Sequence, residues 1–496
     1  MVFWIKIETV NPGNKNLLTI FFLHKFTNGG IVLIRIPLIL SLCLTSVLGA
    51  QVVEESFREA LASTEPAHQE ESPPFCCQKK NFGLATVELL AVSALPWYVN
   101  RHLADDTTAD LSWKSWKKNI REGFEWDPNS FKTNMFDHPF HGSVYFNSAR
   151  SNGYSFWGSA SFAFAGSFIW EFFGENNRGA INDWAMTSIG GITLGETLHR
   201  TAKMIRDNRA TGAARTLREL GAFFVDPVGG FSRLVRGEMS KVGPNPSDRF
   251  PGSLYTTGMV GFRAIGDGRL KNAEPATFYA DLHVLYGNPM EDYKRPFDTF
   301  ILSTQINGEE KQTLGLLQMH GVLYGKSLKR SKSVDHLVTF DMMFDYANNR
   351  TYEIGGQSFA ATLRSLWKFS ERTQLRTIVQ PSFYPMAAVV SEYVDFILRD
   401  YDFGSGFGFR TGGTLFHQGN ELLSWNYRGF YTHTMNGAIG NQIVHFLWLR
   451  ARYPLWRSLG IGIDWILYMR DGYYRDFPNI HRRNPELRVG ASFVWR

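Results

Sequence analysis

The spacing of apolar and polar positions changes along this chain at about residue 244. From residue 82 to 240 the apolar side chains recur at helical intervals, and the stretches 83–98, 109–121, 155–173, 182–208 and 211–224 read as helices. The first is expected to end near Pro96. Trp113, Trp116 and Ile120 share one face of the second. The fourth opens on Asn182 and Asp183 as caps and carries Gly191 and Gly195, small residues that favour close helix packing. The fifth closes at Asp226-Pro227.

After Pro244-Asn245-Pro246 the period becomes two. Val338, Phe340, Met342 and Phe344 alternate with Thr339, Asp341 and Asp345. Leu459, Ile461, Ile463, Trp465 and Leu467 alternate with Gly460, Gly462 and Asp464. Twelve such segments are expected near 253–266, 276–287, 297–307, 313–326, 334–346, 352–368, 372–383, 404–416, 422–434, 440–454, 457–470 and 485–496. An even number lets a bacterial barrel close with both chain ends on one side. Trp425, Tyr427, Trp448, Tyr453, Tyr473 and Tyr474 sit near segment ends, where interfacial aromatics belong. In hydrocarbon an open sheet edge leaves a row of N–H and C=O groups without partners, so an apolar outer face requires closure. A soluble β-sandwich would instead have to bury that heavily aromatic face against a second sheet. The expected fold class is therefore an α+β membrane protein: a helical domain at 81–243, then an antiparallel transmembrane β-barrel of about 12 strands at 250–496.

Composition agrees. Aromatic residues make 15% of the 496 and charged residues only 20%, which excludes a disordered chain. A mean hydropathy of −0.20 excludes a bundle of many membrane helices but leaves a barrel open, because alternating strands average out. Residues 36–47 form an apolar core of about a dozen residues, short of the roughly 20 that span a bilayer. With Arg35 before it and Gly49-Ala50 after it, this segment reads as a secretory signal peptide cleaved after Ala50. Residues 1–31 read as a mis-assigned leader, since Gly29-Gly30 can be encoded by a ribosome-binding sequence just ahead of Val32 or Leu33. A disordered linker is expected at 51–80. Cleavage leaves 48 basic and 45 acidic side chains, a net charge of +3, with no nucleic-acid footprint. Cys76-Cys77 would be the only cysteines left, so stability rests on packing and closed hydrogen bonding.

The candidate chemistry lies in the helical half. Pro139 and Gly142 are expected to turn the chain between His138 and His141, near Tyr145 and Arg150. Glu171 and Glu175 share a helix face, Asp183 caps a helix, and Glu196, His199 and Arg200 fall at i, i+3 and i+4. These residues admit three readings. One is a metal site using His138, Glu171, Glu196 and His199, since Glu-x-x-His is the spacing of carboxylate di-iron bundles; only one such motif is present. Another is an enzyme acting on lipid or glycan, with a His base and a carboxylate orienter, although no Gly-x-Ser-x-Gly elbow occurs. The preferred one is a buried polar network, because leaving any of these groups unpaired inside would cost several kcal/mol. No cofactor is expected. Asp400–Gly406 is expected in a long loop over or into the barrel.

The ordered run Trp126-Asp127, Asn134, His138-Pro139, Gly142, Tyr145, Ala149-Arg150 and Gly153, then Trp170-Glu171, Glu175, Asn182-Asp183, Gly191, Gly195-Glu196 and Arg200, resembles a bacterial domain of unknown function found ahead of a β-barrel in Gram-negative envelope proteins. The resemblance covers about 110 residues, with looser similarity through residues 352–359. It implies an outer-membrane location and a helical segment associated with the barrel, but no established activity. The terminal Phe493-Val494-Trp495-Arg496 resembles the aromatic-ended assembly signal of outer-membrane proteins, apart from its last residue, which implies the barrel-assembly machinery and outer-membrane lipid as partners. The expected function is an envelope structural or transport barrel whose helical domain plugs or caps it. The alternative is a barrel-scaffolded enzyme using the cluster at 138–200.

Overall fold

The computed structural model describes residues 79–103, 107–293, 295–394, 399–456 and 458–495. The expected leader, the signal peptide and nearly all of the expected linker lie outside these residues.

The helical half begins with α1 (Phe82–His102), capped by the Asn81 side chain on the Leu84 N–H. It runs on through Pro96 rather than ending there. α2 (Trp113–Glu122) opens on a reciprocal Ser112/Ser115 capping box. α3 (His138–Arg150) has Pro139 in its first turn, where a missing N–H costs nothing. α4 (Phe156–Ile169), α5 (Ile181–Ala185) and α6 (Gly191–Ile205) come next. Single wide i→i+5 turns at Thr133–Asp137, Trp170–Gly174 and Met186–Gly190 adjoin these helices. α7 (Gly212–Val225) is followed directly by α8 (Pro227–Val235).

One local expectation fails for a steric reason. Gly142 does not turn the chain. It lies inside α3 because a Cβ there would sit 1.7 Å from the Thr187 carbonyl oxygen, and the facing Gly191 meets the same crowding from the Gly142 backbone. α7 closes at Asp226-Pro227 as expected, and Pro227 also opens α8, with Asp226 capping the Gly229 N–H at 2.9 Å. Asn182 and Asp183, expected as caps, lie within α5, whose N-cap is Ala180, and their side chains turn to other work.

Twelve antiparallel strands close into one barrel: β1 (Leu254–Ile265), β2 (Thr277–Tyr286), β3 (Phe300–Asn307), β4 (Leu314–Arg330), β5 (Val334–Asn348), β6 (Glu353–Lys368), β7 (Thr373–Val390), β8 (Tyr401–His417), β9 (Asn420–Asn436), β10 (Gly440–Trp456), β11 (Leu459–Tyr474) and β12 (Ile480–Trp495). β1 seals against β12, with Thr256 opposite Trp495 and Ile265 opposite Glu486. Alternation sets the two faces. Arg263, Asp341, Arg428, Arg450, Asp464 and Arg488 are buried on the lumen side, while Phe262, Phe340, Phe407, Ile463 and Val489 are exposed outside.

The helical domain sits on the outside of this wall. Along the outer face of β5, Val338 and Phe340 are 37% and 47% exposed, whereas Met342, Phe344 and Tyr346 are 4%, 3% and 3% exposed. The covered positions belong to one hydrophobic core with Phe131, Met135, Phe146, Phe156 and Leu198 of the helical half. Phe136 packs on Tyr346 (4.5 Å between ring centroids), Phe131 on Tyr401 (5.4 Å) and Phe156 on Phe297 of the β2–β3 connection (5.5 Å). Gly355 of β6 lets Met135 approach, since a Cβ there would lie 2.3 Å from its sulfur. The expectation of a lumen plug or cap is therefore corrected. The residues that would fill the lumen are the barrel's own arginines and carboxylates, and the apolar faces of the helices find their match on the apolar outer wall.

Candidate functional site

The predicted residues separate into two buried clusters, both inside the helical domain. In the first, Glu196 receives Arg150 Nε at 2.7 Å, Arg150 Nη2 at 3.2 Å and Arg200 Nε at 2.7 Å. Burial alone would raise the Glu196 carboxyl, but the two guanidinium groups hold it at about 2. Arg200 also reaches the β2–β3 connection, at Pro296 O (2.9 Å) and Asp298 (3.2 Å), and so ties α6 to the barrel. His199 turns away to Asp226 (3.4 Å), which also accepts from Asn147 (3.1 Å) and lies 3.7 Å from Arg206. Burial holds His199 down at about 4. The Glu196–His199 pair is thus split between two separate ion-pair systems. Among the described residues, no set of three His, Cys, Asp or Glu side chains is placed to hold a metal ion.

The second cluster gathers four acids around one imidazole. His138 lies 3.3 Å from Asp183. Burial works against its charge, yet Asp183, then Glu171 and Asp127, lift it to about 9. Burial, followed by the neighbouring Asp183, raises Asp127 to about 6 and Glu175 to about 7, and it carries Glu171 well above its ordinary value. Glu171 accepts the Ala180 N–H at 2.7 Å, and Glu175, just past the end of its helix, accepts Trp170 Nε1 at 3.1 Å. A polar chain leads from this cluster to the wall: Asn182 Nδ2 donates to Asn134 Oδ1 (3.0 Å), and Asn134 Nδ2 donates to Tyr401 of β8 (2.7 Å). Tyr145 stands apart, its hydroxyl on Ser93 (3.2 Å) and its ring against His141 (4.6 Å). Burial pushes its phenol up and, with the charge of His138, His141 down to about 4. Asp226 and Asp298 complete these networks without having been singled out from the sequence. Asp226 carried a signal, as an acid directly before a Pro that opens a helix.

The lumen holds a third constellation, visible beforehand only as inward polar positions. Two of its ion pairs join strands that are not neighbours. Arg428 of β9 grips Asp345 of β5 (Nη1 to Oδ1 2.7 Å), which also contacts His320 (2.8 Å) and accepts from Gln318 (3.0 Å). Arg450 of β10 holds Asp464 (2.7 Å) and reaches Asp281 of β2 (3.0 Å), its guanidinium 4.3 Å from the Trp448 ring centroid. Beside these ties lies a cavity of about 170 Å³ lined in part by Asp281, His283, Arg410, Trp448, Arg450 and Arg488. Arg410 is held by Asn426 (3.1 Å) and Arg452 by the Thr257 hydroxyl, both uncharged partners. At one mouth Ser391 and Glu392, just after β7, meet Tyr474 (3.1 Å) and Arg470 (3.2 Å). The expected loop at Asp400–Gly406 is therefore shorter than foreseen, because Tyr401 onward is already strand β8.

These features define a closed twelve-stranded barrel with a charged lumen and a helical domain seated on its outer wall. Residues 123–228, ahead of the barrel, match the family described as "Domain of unknown function (DUF3943)". No curated protein matches the chain. Solved structures similar to it include the NanC porin (11% identity, 48% of this chain and 98% of that one, TM-score 0.26). The KdgM porin (10%, 48% and 99%, 0.23) and outer membrane phospholipase A from Escherichia coli (12%, 48% and 89%, 0.23) are also similar.

Proposed function

We propose that this protein is an outer-membrane barrel of transport type, whose polar route is its own lumen and whose helical domain stiffens and shields part of the wall. The observation that carries this reading is the division of faces: charged side chains line the inside of a closed sheet, and exposed aromatics cover the free part of its outside. The end bearing both barrel termini has four short connections, at 331–333, 369–372, 418–419 and 457–458, as periplasmic ends do, together with the long β2–β3 connection at 287–299 that meets the helical domain, and the opposite end has connections at 266–276 and 391–400. The outer surface of the helical domain is itself apolar, with Val87, Leu90 and Leu95 of α1 and Trp157 and Phe168 of α4 exposed, so lipid is its natural surrounding. Assembly by the barrel-assembly machinery through the β12 end belongs to the same proposal.

Conductance across a planar bilayer tests it. The full chain is expected to give small unitary currents, limited by the Arg428–Asp345 and Arg450–Asp281 ties. Arg428→Ala should enlarge them several-fold, and disrupting the helical domain should not. Silence of both the parent and Arg428→Ala would overturn the transport role. A large current appearing only when the helical domain is disrupted would restore the plug.

A further inference from the structure

Among the described residues, α1 is the one helix both long and apolar enough to cross a membrane. At about 1.5 Å per residue its 21 residues extend about 31 Å, close to the roughly 30 Å of a bilayer's hydrocarbon. It forms an outer layer of the helical domain, packed on α3 and α4. Its outward side chains are apolar, with Phe82, Val87, Leu90, Leu95 and Tyr98 exposed. Its polar groups turn inward. Glu88, the only charged residue between Phe82 and Asn100, is 2% exposed and accepts from Asn152 Nδ2 (2.7 Å) and Ser232 Oγ, and Ser93 donates to the Tyr145 hydroxyl (3.2 Å). A helix facing water gains nothing by hiding its single acid and showing leucines.

The two ends of α1 mark two levels. Lys80 and Asn81 are exposed where the Asn81 N–H donates to Asn152 O, at the barrel end where Phe156 meets Phe297. Arg101 and His102 are exposed at the other end, where Trp97 Nε1 donates to Ala109 O (3.0 Å). α2 follows there, and the chain beyond it sets Trp126 on Phe403 (5.5 Å) near the start of β8, at the barrel end opposite the termini. Trp116 Nε1 donates to Phe173 O (3.1 Å) and Asn119 to Glu175 O (3.1 Å), which fixes the inner face of α2. On its outer face Trp113 and Ile120 are 77% and 59% exposed. Beside them Lys114, Lys117, Lys118 and Arg121 are exposed, and none pairs with an acid among the described residues. Adjacent apolar and basic stripes are the pattern of a helix lying in a headgroup layer, with its rings in the acyl boundary and its cations reaching the phosphates.

We propose that α1 crosses the bilayer beside the barrel and that α2 lies in the headgroup layer of the leaflet away from the barrel termini, where its four cations bind anionic lipid headgroups. This rests on the outer-membrane reading above. A merely solvated face would account for the four cations but not for Trp113 and Ile120 standing exposed next to them. Each Lys or Arg held close to an anionic surface is worth on the order of a fivefold gain in binding.

The test uses the full chain with its native cysteines replaced by Ser. It carries bimane on one introduced cysteine, Phe82→Cys, Leu90→Cys or Leu103→Cys, all at exposed positions. The protein is inserted into vesicles whose acyl chains are brominated near the bilayer centre, and heat-modifiable gel migration scores barrel insertion in the same samples. Quenching at position 90 is expected to be at least about twofold stronger than at 82 and at 103, because both ends of a spanning helix lie near a bilayer surface. Weak quenching at all three, or a steady rise or fall from 82 to 103, overturns the span when the barrel has inserted. A barrel that does not insert overturns the outer-membrane reading and this proposal with it. For α2, native mass spectrometry from maltoside is run with phosphatidylglycerol and with phosphatidylcholine, which carries no net charge. Phosphatidylglycerol is expected to be retained about tenfold over phosphatidylcholine, and Lys114→Glu with Lys118→Glu, which leave the inner face of α2 alone, should remove most of that preference. Equal retention of the two lipids, or a preference that the double variant leaves intact, overturns the headgroup site.

Discussion

Strand β5 presents one outer face to two surroundings. Val338 and Phe340 stand free, while Met342, Phe344 and Tyr346, two to six residues further along the same face, are sealed beneath Phe131 and Phe136 of the helical domain. Both stretches are apolar and both keep a period of two. Hydrocarbon and a packed protein surface pose the same demand on transfer free energy, so a sequence that satisfies one also satisfies the other. They differ in their response to a loss of volume. Acyl chains flow into a gap, whereas rotamer-locked neighbours such as Phe131 do not, so only the covered stretch carries a cavity penalty.

The sharpest way to break this comparison is to remove the cover. Glu196→Ala leaves Arg150 and Arg200 buried without their shared carboxylate and is expected to destabilise the helical domain by about 4–5 kcal/mol. Limited proteolysis should then cut within 82–235, while heat-modifiable migration shows the barrel still closed. Loss of both together would mean that the wall cannot stand without its cover. A smaller effect separates the two environments directly. In vesicles, Phe344→Ser should cost about 3 kcal/mol in denaturant unfolding, and Phe340→Ser only about 1–2, the transfer part alone. Equal costs would show that the helices do not hold that face.

Much of the barrel was legible in the chain because closure imposes alternation on every strand. β1 to β6 and β8 to β12 fall within a few residues of the expected segments. β7 was expected to stop at 383 and runs to Val390, because the register shift between Tyr384 and Ala387 breaks the alternation that marked it. β8 was expected at 404–416 and starts at Tyr401, three residues earlier, inside the loop also expected at 400–406; Gly404 and Gly406 admit the β9 backbone, a Cβ at Gly406 lying 1.8 Å from Tyr431 O. The helical domain was legible as helices, and its Gly191 as a packing contact, but its seat was not. Nothing in Met342 or Phe344 says whether lipid or Phe131 will lie above them. The site residues divided for a related reason. Spacing placed Glu196 and His199 on one helix, but only the fold brings Arg150 to the first and Asp226 to the second.

The mildest effect comes from the second cluster, whose charge is out of balance where that of the Glu196 cluster is not. His138 is held up at about 9 and Glu175 at about 7, against ordinary values of 6.5 and 4.5. Both folded values lie above the unfolded ones, so the native domain retains protons that the unfolded chain releases. Their stabilisation is complete below about pH 4.5 for Glu175 and 6.5 for His138, and it is lost as pH rises through 7 and then 9. His141, held at about 4, acts in the opposite sense and only in acid, below 6.5. Helical-domain stability is therefore expected to fall between pH 7 and 9 by on the order of 1 kcal/mol per pH unit. Proteolytic susceptibility of 82–235 should rise over that range, while barrel migration on gels stays constant. His138→Gln should flatten the profile between 8 and 9 and leave the Glu175 part below it. A profile unchanged by His138→Gln would mean that the four carboxylates share their protons without the imidazole, and the contrast between a balanced and an unbalanced cluster would then rest on Glu196 alone.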